Sequence, residues 1–141
     1  MQGAVQRSES GADRKGDIAV SDSGGDATRD ALLQAGLLYD ISELAKTLAQ
    51  LDMPTAISHL LWEVIAPGES FRTDHDQIKQ VCFAFCFARA GLLPTELSVQ
   101  GSAQVLRFQC LPCHRMVTVV AVVHPLEDRS LVCTLLSGHE N

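Results

Sequence analysis

The chain of 141 residues is 46% hydrophobic and 20% charged with a net charge of −6, a balance typical of one globular domain and unlike that of collagen-like or low-complexity chains. The acidic excess argues against a nucleic-acid partner, because neutralising phosphates with Lys and Arg supplies most of that affinity. No stretch reaches the roughly 18 consecutive apolar residues of a membrane helix, and an odd count of five cysteines with no secretory h-region points to reduced thiols in a cytoplasmic protein.

Residues 1–26 are rich in Ser, Gly, Asp and Arg and show no apolar period, so they read as a disordered leader. Residues 27–141 are then a single domain. Thr28 can cap a helix over 29–35 that Gly36 stops, and "LLYDI" is a short extended link. Asp40 and Glu43 have capping-box spacing, with Ser42 as the alternative cap, and Leu44, Leu48 and Leu51 continue a helix through 42–50.

Pro54 suits the first position of the next helix, in which Ile57, Leu60, Leu61, Val64 and Ile65 form a stripe beside Trp62. Pro67 and Gly68 end it. Thr73 or Asp74 opens the following helix, whose segment "IKQVCFAFCFARA" is apolar nearly all round and therefore central, until Gly91 and Pro94 close it.

The period changes after Leu97. "AQVLRFQC" alternates, with Leu106, Phe108 and Cys110 on one face and Arg107 and Gln109 on the other. "MVTVVAVV" and "SLVCTLL" are strand-like runs joined by a turn at 124–129. The expected fold is α+β, with three to four N-terminal helices followed by an antiparallel β-meander of three to four strands.

One motif invites chemistry. Cys110-Leu111-Pro112-Cys113-His114 is C-x-x-C-H, the attachment signature of a c-type haem. A haem would require export and a helical crevice, and the motif lies between strands. Zinc is the stronger rival: Cys110 and Cys113 form half a knuckle, with His114 and Cys133 the alternative partners and His124, His139, Cys82 and Cys86 also available. No second C-x-x-C or H-x-x-x-H exists, so the expected cofactor is none, with zinc the alternative. A dithiol redox role lacks the helix N-terminus that would depress a thiol pKa.

Asp74, His75 and Asp76 are adjacent and point in different directions on a helix, and His59 borders an apolar stripe. No phosphate loop, G-x-S-x-G elbow or H-E-x-x-H is present, so catalytic residues are expected to be none.

Two stretches resemble a family of small proteins of unknown function carried on bacterial plasmids and phages. In residues 30–65 the matching positions are Gly36, Leu38, Asp40, Ile41, Ser42, Glu43 and Ala45, then Pro54, Ala56 and Trp62. The closing "VTVVAVVHPLEDRSLVCTLLSGHEN" is similar to that family's terminal hairpin. The resemblance implies an accessory protein of a mobile genetic element and carries no functional residue with it. The expected function is therefore non-enzymatic binding of a host or element protein, the alternative being a zinc-stabilised module built on the Cys110/Cys113 turn. Trp62 is expected in the core, and would be the anchor for a partner if exposed.

Overall fold

The computed structural model describes residues 25–111 and 116–140. In chain order its elements are α1 (Gly25–Gln34), β1 (Leu38–Asp40), α2 (Ser42–Ala49), β2 (Thr55–Ser58), α3 (His59–Ile65) and α4 (Asp76–Arg89), then β3 (Thr95–Gln100), β4 (Ala103–Cys110), β5 (Val117–Pro125) and β6 (Leu131–Ser137). The leader expected over 1–26 lies, apart from Gly25 and Asp26, outside the described residues.

The strands form one mixed sheet in the order β1-β2-β6-β5-β4-β3. Strands β3 to β6 pair antiparallel in succession, β6 lies parallel to β2, and β2 pairs antiparallel with β1. Two expectations are corrected. The helices are interleaved with β1 and β2 rather than gathered ahead of the sheet, and the sheet is not a simple antiparallel meander.

The cause lies in Thr55–Ser58. All four residues are buried, because a strand between two others with both faces covered has no wet side. Such a run shows no alternation, and periodicity cannot separate it from the helix that follows. Pro54 therefore precedes a strand instead of opening a helix. The helix starts at His59, where Ser58 is the true cap and its Oγ accepts from Leu61 N at 3.0 Å.

Two other helix starts also differ from the capping expected of them. Asp40 does not form a capping box with Glu43; its Oδ1 accepts from Ser42 N at 2.9 Å and from Ser42 Oγ at 2.5 Å. Ser42 Oγ in turn accepts from Thr55 N at 2.9 Å, tying α2 to β2. Helix α4 is capped by His75, whose Nδ1 accepts from Gln77 N, rather than by Thr73 or Asp74. That bond leaves the ring proton on Nε2, which donates to Glu69 Oε1 at 3.1 Å.

Helix α3 packs on β6, β2 and β5, while α4 packs on β4 and against α2. Ile57, Leu61, Trp62, Ile65, Ile78, Val81 and Phe85 meet Val119, Ala121 and Leu135 in the main core. Val120, Val122 and Leu136 join Ala103 and Val105 in a smaller cluster on the opposite face of the sheet. Because β5 is buried on both faces from Val119 to Val123, that stretch is continuously apolar.

Helix α4 is not buried all round as its composition suggests. Ile78, Val81, Cys82, Phe85 and Ala88 face the core, but Phe83 is 41% exposed and Phe87 50%.

Candidate functional site

The residues singled out by the sequence fall into separate places. Trp62 is 1% exposed, with Nε1 donating to Glu69 O at 2.8 Å and its ring edge-on to Phe71 and His75. It is part of the core and out of a partner's reach.

Cys113 and His114 lie outside the described residues. Cys110 ends β4 opposite Val117, whereas Cys133 sits opposite Val123. The stretch of β5 from Val117 to Val123 spans about 20 Å. Cys133 is thus far too distant to share a metal with Cys110, and the alternative zinc set of Cys110, Cys113, His114 and Cys133 cannot close. The run of apolar strand residues hid this, since spacing along a sequence does not reveal register. Among the described residues no group of three or more His, Cys, Asp or Glu is placed to hold a metal ion. Burial pushes the Cys82 and Cys133 thiols up to about 12 and raises that of Cys86, the opposite of what a reactive thiol needs.

The titratable groups that do meet are at the end of the sheet where β2 and β6 finish together. Tyr39 Oη lies 2.8 Å from His59 Nδ1, and His59 Nε2 is 3.8 Å from Glu63 Oε2. Phe71 stacks on Tyr39 with ring centroids 4.2 Å apart. Below them the chain folds back after β6, and Glu140 Oε2 accepts from Ser58 Oγ at 2.5 Å and from Ser137 N at 2.7 Å. Glu140 Oε1 is buried with no hydrogen-bond partner. Burial raises the Glu140 pKa, outweighing the hydrogen bonds from Ser58 and Ser137 that lower it.

A phenol, an imidazole and two carboxylates so arranged could move a proton, but the group lacks a nucleophile. Ser58 is 1% exposed, and its hydroxyl is committed to Leu61 N and Glu140. Asp74, His75 and Asp76 do not supply one either. His75 caps α4 and packs on Trp62, and Arg72 Nε reaches Asp74 at 3.1 Å. These contacts are structural.

The feature left unexplained by folding is apolar surface. Phe83 and Phe87 stand one turn apart on α4, and the neighbouring strand β3 exposes Leu97 by 64% and Val99 by 68%. Cross-strand register places Leu97 opposite Leu106 and Val99 opposite Gln104, so both point to the helix-bearing face. Leu92 in the connecting turn is also exposed. Exposed apolar residues clustered on adjoining elements mark contact surfaces more often than residues scattered singly do. The sequence offered one signal for this surface: an apolar run too complete for a helix that β4 and α2 cover only in part.

Among the described residues no helix is long and apolar enough to cross a membrane. The chain matches no protein-family model, no curated protein and no solved structure.

Proposed function

We propose that this chain is a non-enzymatic accessory protein of a mobile genetic element, acting in a bacterial cytoplasm by binding a host or element protein. The observation that carries the reading is the outward stripe of α4, where Phe83 and Phe87 remain 41% and 50% exposed although aromatic side chains are the residues folding gains most by burying. The pattern of residues 30–65 supports the mobile-element context, and the committed hydroxyl of Ser58 weighs against catalysis at the Tyr39–His59 group.

The test is capture from bacterial lysate with the full chain as bait, run beside Phe83→Ser/Phe87→Ser. One identified protein retained by the parent and lost by the variant, with the thermal midpoint unchanged, supports the reading. Retention by both chains assigns the contact to another surface, and no specific retention removes the function.

A further inference from the structure

Strand β3 is an edge of the sheet. It pairs with β4 from Thr95↔Phe108 to Gln100↔Ala103, and among the described residues nothing pairs with its other side. Edge strands are usually blunted by proline, lysine, a bulge or an inward charge, since a free row of N–H and C=O groups recruits other strands. Thr95–Gln100 contains no proline and no lysine, and its register with β4 is unbroken. Its one charge, Glu96, faces Arg107 directly across the ladder. Among the described residues the edge is open and nearly neutral.

We propose that β3 pairs antiparallel with β3 of a second copy of this chain, about a two-fold axis at Ser98, so that the two sheets become one. The inference builds on the reading of the α4 flank as a contact surface and supplies the neighbour for its β3 side.

Three observations select a second copy as the occupant. First, Glu96-Leu97-Ser98-Val99-Gln100 is symmetric in polarity about Ser98. Self-pairing with Ser98 opposite Ser98 sets Leu97 against Val99 of the second copy and Glu96 against its Gln100. Apolar meets apolar on the helix face, polar meets polar on the other, and no like charges are opposed, which is the pattern that stabilises cross-strand pairs. A one-residue slip would turn Leu97 and Val99 to the opposite face of the joined sheet.

Second, the isologous contact closes on itself and leaves no further free β3 edge to propagate a fibre. Third, the helices fit. Helix α4 packs on β4, so the two copies of α4 would stand three strand spacings apart, about 14 Å. That exceeds the 8–10 Å of directly packed helices, so the two copies of α4 do not clash and large side chains can bridge the gap. Cys86, whose Sγ donates to Ala49 O, marks the flank of α4 turned to α2; Phe87 lies about 100° further round, between the top of the helix and the side turned to β3. Pairing would bring the two Phe87 side chains towards one another above Leu97 and Val99.

The experiment is sedimentation equilibrium of the full chain at ten to several hundred micromolar, with Leu97→Lys/Val99→Lys as the variant. The parent should show twice the chain mass at the higher concentrations. The variant, which opposes Lys to Lys in this register, should stay at the chain mass over the whole range. Its melting curve should match that of the monomeric parent, because both side chains are largely exposed. Ser98→Cys adds a readout of register: paired residues lie about 4.5–5.5 Å apart between Cα atoms, within disulfide reach. Mild oxidation should cross-link it quantitatively through residue 98, as mapped by peptide mass, while Gln100→Cys should not cross-link through residue 100. A parent that remains at the chain mass overturns the proposal, as does a dimer that survives the double lysine substitution or whose Ser98→Cys form fails to cross-link. A chain that stays monomeric can still capture a lysate protein through Phe83 and Phe87, and a chain that dimerises can fail to capture one, so the two readings fail separately.

Discussion

Removing the Ser58 hydroxyl should weaken this protein more than an ordinary helix cap would. The group stands where β2 becomes α3 and makes two contacts in opposite directions, accepting from Leu61 N at 3.0 Å and donating to Glu140 Oε2 at 2.5 Å. Loss of a serine cap costs about 1 kcal/mol, within a range of roughly 0.5–2. A hydrogen bond to a charged group contributes about 1.5–3 kcal/mol. Glu140 keeps its bond from Ser137 N, so the lower part of that range applies, and Ser58→Ala should cost about 2–4 kcal/mol in total. The assay is urea unfolding followed by far-ultraviolet circular dichroism, repeated in a Glu140→Ala background, which removes the acceptor. If the two contacts are separable, the serine substitution should there cost only the cap, about 1 kcal/mol, with the difference appearing as coupling energy. A loss below about 0.5 kcal/mol in the parent, or equal losses in both backgrounds, would refute the dual role.

Glu140 itself makes stability depend on pH. Burial lifts its folded pKa above the ordinary value of 4.5, so in that window the folded chain binds more protons than the unfolded one. The contribution is fully present below about 4.5 and is lost as pH rises through the folded value. Relative to Glu140→Gln, the parent should lose stability over that rise; parallel unfolding profiles from pH 4 to 8 would count against it. Gly138→Ala should destabilise by about 1–3 kcal/mol, because an added Cβ would come within 2.8 Å of Thr118 Cγ2 and 2.9 Å of Thr118 Cβ; an unchanged thermal midpoint would contradict the close approach. Trp62→Ala should cost on the order of 3–5 kcal/mol in the same urea assay, and a parent-like midpoint would show that the indole is not core. With their thiols pushed up to about 12, Cys82 and Cys133 should resist iodoacetamide at pH 8 in the native state and react after denaturation, as peptide mass mapping would show.

The C-terminal strands were legible because polar and apolar residues alternate along 103–110 and because β-branched residues crowd 117–123. Trp62, closely followed by Pro67 and Gly68, likewise marked a core helix and its end. What failed was the parallel strand. Thr55–Ser58 is short, buried on both faces and continuous with the apolar stripe of α3, so neither length nor period set it apart. Leu38–Asp40 has only three residues, too few to show any period. The exposed apolar face of α4 was harder to read for the converse reason: composition shows that Phe83, Phe85 and Phe87 are apolar, but only packing shows that Phe85 is covered and its neighbours are not. The Glu140 group depends on a chain reversal after β6 and on a strand end at Ser58, neither of which has a local sequence signature.

The placement of β6 has a consequence for how the protein is made. It is the final strand in chain order among those described, yet it lies in the interior of the sheet between β2 and β5, with Ala56 beside Thr134. While the ribosome is still translating the residues that follow β5, β2 has only the three residues of β1 to pair with, and the inner faces of both halves stay wet. Sheet closure must wait until synthesis has passed Ser137, and such pairing between distant parts of a chain is slow. The nascent polypeptide should therefore present two incomplete sheet fragments for holdase chaperones to shield, and a stop codon placed before Leu131 should yield an aggregating fragment rather than a smaller folded domain.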